Sequence, residues 1–154
     1  MNPYASQLGN LGALEVIQET PRKLAGEVSR LGPESLERSY APGKWPARVI
    51  VCHLADVEIA FGFRLRQALA EPHHVIQTFD QDAWAKSSEL LDAHAALDTF
   101  SALRHWNVAL LRAIPPESFL KPLAHPERGE MTFQVLVETM GGHDLNHLRQ
   151  LESV

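Results

Sequence analysis

Cysteine is all but absent. Cys52 is the only one in 154 residues, which excludes an internal disulfide framework and fits a reducing compartment. Long apolar runs are missing too, since no stretch approaches the roughly 18 apolar residues that cross a bilayer. The opening Met1-Asn2-Pro3-Tyr4-Ala5-Ser6 lacks a basic segment leading into an apolar one. The expectation is a soluble cytoplasmic protein with no membrane role. Basic residues are scarce: 14 Lys and Arg against 19 Asp and Glu leave a net charge of -5, which argues against nucleic acid as a partner. β-Branched residues are few as well. Val, Ile and Thr number 20 against 39 Leu and Ala, a ratio that favours helix over sheet.

What is present is an ordinary globular composition, 45% hydrophobic and 21% charged, on a chain of one domain's length without repeats or linker-like stretches. Such a chain buries roughly 70% of its unfolded surface, enough for a core. Residues 1–19 read as an irregular arm with one short turn near Ala13–Gln18. Thr20-Pro21 has the form of a helix start, and that helix is expected to stop at Gly32-Pro33. Pro46 opens a second helix reaching Ala70, with Ile50, Leu54, Val57, Phe61, Leu65 and Ala68 as its apolar stripe. About 20 residues of connection follow, which in a bundle implies a crossover instead of a tight hairpin. Asp92 can cap a third helix over 93–113, and Thr132 a fourth over 133–152 after the turn-rich 125–130. The pattern predicts an all-α four-helix bundle with no substantial sheet.

Of eight histidines, three stand out. His143 and His147 are four residues apart, a turn of about 400°, so both rings leave the helix on one side. They share the stripe of Leu136, Met140 and Leu151, and two buried imidazoles cost free energy unless bonded or bound. His53 lies on the inward stripe of the second helix. Three inward imidazoles from two helices can hold one divalent metal and leave coordination positions open, as catalytic sites do. Core histidines bonded to a backbone carbonyl or a neighbouring acid are the alternative.

Gly43-Lys44-Trp45-Pro46 followed by His53-Leu54-Ala55-Asp56-Val57-Glu58 resembles the second helix of the DinB-like superfamily. Gly142-His143-Asp144-Leu145-Asn146-His147-Leu148-Arg149-Gln150 resembles its final-helix signature. Phe79–Ala85 and His125–Glu130 are similar to segments of one of its branches, so the likeness covers most of the chain. The resemblance implies an up-down-down-up bundle with a long link between helices two and three, commonly dimeric. It also implies a metal held by His53, His143 and His147. Asn146 stands where that family often carries a further histidine, about 100° round the helix from His147, so the triad should survive.

Around the triad, Asp56 follows His53 by three residues and Asp144 precedes His147 by three. Each is a candidate to orient an imidazole or take a proton, or else is an ordinary surface or ion-paired carboxylate. Gln150 is a candidate second support for His147. His125 and Trp45 can reach the mouth or wall of the site, although a turn histidine and a packed tryptophan are the plainer readings. His73, His74, His94 and His105 have no organised partners, and Cys52 points about 100° from His53. Gly141-Gly142 inside a helix suggests either a close helix approach just before the first ligand or a local distortion of the helix.

Three imidazoles with open positions suit zinc or nickel first, with iron or manganese as further candidates. Bound water acidified by such a metal favours hydrolysis. A coordinated thiol, which is deprotonated, favours transfer. The resemblance implies both kinds of activity: metal-dependent hydrolases, or S-transferases and isomerases dependent on a low-molecular-weight thiol. A non-enzymatic, metal-stabilised dimeric module is the third reading. The expected partners are a small-molecule substrate, which can carry a thiol, and a second copy of the chain.

Overall fold

The computed structural model describes residues 2–88 and 90–154. In chain order its helices are α1 (Ala5–Leu8), α2 (Ala13–Leu36), α3 (Ala47–Ala70), α4 (Gln81–Ser88), α5 (Ala93–Ala113) and α6 (Phe133–Glu152). Three short strands accompany them, β1 (His74–Val75), β2 (Pro122–His125) and β3 (Gly129–Thr132), with a 3-10 turn at Pro116–Leu120. The long helices α2, α3, α5 and α6 make a four-helix bundle. No helix among the described residues is long and apolar enough to cross a membrane.

Helices α3, α5 and α6 lie where the sequence places them. Asp92 caps α5, its carboxylate accepting the Ala95 N–H at 2.9 Å. Thr132 precedes α6, but its side chain makes no capping bond. The first long helix is the correction. It begins at Ala13, so Thr20-Pro21 lies inside it and only α1 remains of the expected arm. Proline lacks an N–H, which leaves the Ile17 carbonyl without its helical partner. Arg104 Nη1 of α5 donates to that oxygen at 3.0 Å. A distant side chain therefore supplies what the helix loses, and Pro21 is tolerated. Gly32 does interrupt α2, with φ 65° and ψ 176°, but one more turn follows to Leu36.

Consecutive helices α2 and α3 touch little. Each instead packs on α5 and α6, the pattern produced by a crossover between α3 and α5. The crossover, residues 71–92, holds β1 and α4. β1 runs parallel to β2 (His74 beside Leu123), and β2 runs antiparallel to β3 (Leu123 opposite Met131). Residues 125–130, read from sequence as turn-rich, thus belong to a hairpin that spans 122–132. The sheet is small and sits against the bundle through buried Ile76 and Leu123.

Two apolar clusters fill the interior. One gathers Phe61, Leu65, Leu111, Phe133 and Met140, the other Leu24, Ile50, Leu54, Phe100 and Leu148. Along α6, His143 and His147 fall between Met140 of the first cluster and Leu148 of the second, and on α3 His53 lies beside Ile50 and Leu54 of the second.

Candidate metal centre

The geometry of two helices brings His53, His143 and His147 together. On α3, His53 lies between Ile50 and Val57, whose burial turns that face inward. On α6, the one-turn spacing stacks His143 and His147 with ring centroids 4.4 Å apart. Nε2 of His143 is 3.2 Å from Nε2 of His53 and 3.1 Å from Nε2 of His147. One ring nitrogen from each of the three lies within 4.8 Å of the others, and all three residues are buried.

Burial disfavours charged imidazole. The His53 pKa is pushed down to about 3, by desolvation first and then by neighbouring His147. His143 falls well below the usual 6.5 through burial and then its two partners. His147 is lowered by burial, against the opposing effects of Gln150 and Asp144. Neutral rings keep a lone pair available for a metal. Gln150 decides which nitrogen of His147 has it: Nδ1 donates to Gln150 Oε1 at 2.7 Å, so the lone pair is on Nε2, facing the cluster. Gln150 Nε2 is itself 3.3 Å from the Tyr40 hydroxyl.

These residues fit a divalent metal. At an imidazole–metal distance of about 2.0–2.1 Å, ligand nitrogens lie roughly 3.3 Å apart on a tetrahedral ion and 2.9 Å on an octahedral one. The separations of 3.1 and 3.2 Å fall between these values. His147 turns its Nε2 lone pair toward the cluster, and an ion there would accept it together with a ring nitrogen from each of His53 and His143.

Two cavities flank the cluster. One, of about 160 Å³, is lined by His143, apolar Val57, Phe61 and Ile76, and polar His125 and Arg64 among others. The second, of about 300 Å³, touches His147, Gln150, Trp45, Lys44 and Asn146. Tyr4 and Gln81 line both. The Tyr4 ring meets His143 edge-on at 5.3 Å, and Trp45 leans on His53 at 4.9 Å between centroids. Gly142 makes the Tyr4 position possible, because a Cβ there would lie 2.6 Å from Tyr4 Cβ and from its carbonyl oxygen. The close approach suggested by Gly141-Gly142 is therefore that of α1 and the residues around it.

His125 is buried at the end of β2. Its Nδ1 accepts the Glu127 N–H at 3.1 Å. Its pKa is lowered, by burial first and then by Arg128. The neutral ring therefore carries its proton on Nε2 and acts as a donor through that atom.

The two candidate carboxylates have other partners. Asp144 is buried and bonded to Arg104, with Thr20 Oγ1 2.8 Å from its Oδ2. Asp56 accepts the Ser88 hydroxyl at 2.7 Å, tying α3 to α4. Among the described residues neither hydrogen-bonds to an imidazole of the cluster. Arg104, 1% exposed, also binds Glu58 through Nε at 2.9 Å and Nη2 at 2.7 Å. Burial opposes its charge, but Asp144 and Glu58 outweigh that and raise its pKa.

The remaining histidines lie apart from this set. His73 is 3.3 Å from Glu130, His74 binds Glu71 at 2.6 Å, and His94 and His105 are exposed on α5. Burial pushes the Cys52 thiol up to about 11, so it is no nucleophile at neutral pH. The sequence reading passed over Tyr4, Gln81, Arg64, Arg128, Glu58 and Arg104. The last two had a signal, being charged residues on apolar stripes: Leu54, Glu58, Phe61, Leu65 on α3 and Phe100, Arg104, Val108, Leu111 on α5. Tyr4 had an indirect one in Gly141-Gly142.

Comparison with known proteins agrees with this geometry. The sequence profile of the DinB superfamily matches residues 17–151. A protein of Oceanobacillus iheyensis named "putative metal-dependent hydrolase OB0782" is 30% identical over 139 residues, 90% of this chain and 81% of that one. The similarly named YfiT of Bacillus subtilis is 30% identical over 120 residues, covering 77% and 67%. The solved structure of YfiT, described as a probable metal-dependent hydrolase with an unusual four-helix bundle topology, superposes with a TM-score of 0.85. That match is at 26% identity over 91% of this chain and 82% of the other. With its bundle, its crossover and its profile in accord, the chain belongs to the DinB superfamily.

Proposed function

We propose that this chain is a metal-dependent hydrolase of a small-molecule substrate, with His53, His143 and His147 holding one divalent ion. Zinc and nickel lead the candidates, and iron and manganese follow. The convergence of three neutral imidazoles beside a cavity carries the reading. Held there, such an ion supplies Lewis acidity and brings the pKa of water toward about 7.

The chain's own residues supply the rest. Gln150 fixes the His147 ring so that Nε2 faces inward. His125 presents Nε2–H as a donor to a substrate oxygen, its tautomer held by the Glu127 N–H. Burial raises the Tyr4 pKa, so its phenol remains protonated and serves as a second donor at the wall shared by the cavities. In this reading proton handling rests on His125, while Asp144 and Asp56 hold helices. The name borne by relatives such as YfiT supports hydrolysis.

The second cavity, on the His147 side, favours a second reading, S-transfer between a small thiol and an acceptor held in separate chambers. Ester, amide and thiol-transfer assays on metal-loaded and chelated protein separate the two. Hydrolysis that disappears on chelation and falls about 10²–10⁴-fold in His125→Ala supports the first reading. Turnover that requires added thiol replaces it with the second, and metal-independent turnover overturns both.

A further inference from the structure

The cavity beside His143 is lined by two arginines that the metal centre does not use. Arg64 reaches it from α3. Its Nη2 donates to the Gln77 carbonyl at 3.0 Å, and its Cζ lies over the Phe79 and Phe61 rings, 5.4 and 5.9 Å from their centroids. Arg128 reaches it from the turn between β2 and β3. Among the described residues neither takes part in an ion pair. Glu127, exposed and next to Arg128, is the cavity's one carboxylate among the described lining residues.

Two cations lining one small space repel each other, and partial burial strengthens the effect. The Arg64 pKa is lowered accordingly, by burial and then by the Arg128 charge. Phe61 and Phe79 hold the Arg64 fork in place, so little freedom is lost when an anion binds it. Val57, Phe61, Ile76 and Leu136 give the same cavity an apolar wall, and His143 of the metal centre also lines it. The space, about 160 Å³, suits a short organic chain.

We propose that this cavity is the subsite for the carboxylate of a small organic acid, clasped by Arg64 and Arg128 so that the rest of the molecule extends along the apolar wall to the three imidazoles. What happens at those imidazoles rests on the metal-dependent reading; the binding itself does not. Planar guanidiniums match the two oxygens of a carboxylate, and the apolar wall favours a short alkyl chain over a fully hydrated inorganic anion.

Titration of the chelated protein with butyrate tests this, followed by the Nε–Hε NMR resonances of Arg64 and Arg128. Saturable shifts at both are expected, with affinity reduced about tenfold or more in Arg64→Gln and in Arg128→Gln. Butylamine, similar in size and opposite in charge, should produce neither shift. Because Arg64 also braces Phe79, Arg128→Gln, on an exposed turn, decides the matter if Arg64→Gln is unstable. Absent shifts, or shifts unchanged in Arg128→Gln, overturn the proposal. Inorganic phosphate binding more tightly than butyrate overturns the carboxylate assignment. Metal binding at the triad with no arginine-dependent butyrate binding overturns this subsite alone, whereas arginine-dependent butyrate binding by a protein that takes up no metal overturns the hydrolase reading alone.

Discussion

Arg104 on α5 donates through Nη1 to the Ile17 carbonyl at 3.0 Å, an oxygen that Pro21 deprives of its helical hydrogen bond. The same guanidinium binds Glu58 of α3 and Asp144 of α6. Those are the helices that carry His53 and the His143–His147 pair. One buried cation thus ties α2, α3 and α6 together, and with them the spacing of the three imidazoles. Asn107 Nδ2 adds a bond to Glu58 Oε1 at 2.8 Å.

Removing this cation should be costly. Arg104→Met leaves two buried carboxylates without their partner, and breaking such a pair costs about 3–5 kcal/mol. Urea unfolding of the chelated protein measures it. A loss below about 1 kcal/mol would show that the network is not what holds these helices.

Gln150→Leu is expected to act on the metal more than on the fold. It removes the bond that fixes the His147 ring, and loss of such a support typically lowers metal affinity about 10–100-fold. Competition against a chromophoric chelator reads the affinity. Wild-type affinity in this variant would show that the ring is held by packing alone.

Acid should destabilise the chelated protein steeply. His53, His143 and His147 have folded-state pKa values below 6.5, with burial as the first cause. Below 6.5 the unfolded chain therefore binds more protons than the folded one, and stability falls as pH falls toward the folded His53 value of about 3. Each imidazole that stays neutral contributes a loss of about 1.4 kcal/mol per pH unit in that window. Urea midpoints from roughly pH 7 to pH 5 test this. A flat profile would mean that the rings titrate normally and are not buried together.

The helices that carry the metal site were legible because their signals are local. Asp92 before a leucine- and alanine-rich run marks α5, and the four-residue spacing of His143 and His147 needs only a helix to bring the rings together. Thr20-Pro21 misleads because its correction is not local: the partner for Ile17 comes from Arg104, 87 residues away in sequence. Asp144 shows a different limit. Helical angle places it near His147, but cannot show that Arg104 and Thr20 occupy its oxygens. The hairpin at 122–132 has strands of four residues, too short for a clear period. Tyr4 reaches the site only because Gly142 admits it from the far end of the chain.

The central claim is that His53, His143 and His147 hold one divalent metal. Metal content by mass spectrometry, after loading and gel filtration, tests it on wild type and on each single His→Ala variant, with His94→Ala as the control. The account predicts one ion per chain in wild type and in His94→Ala, and a sharp loss in each of the other three. Full stoichiometry in the three triad variants, or no tightly held metal in wild type, would contradict it.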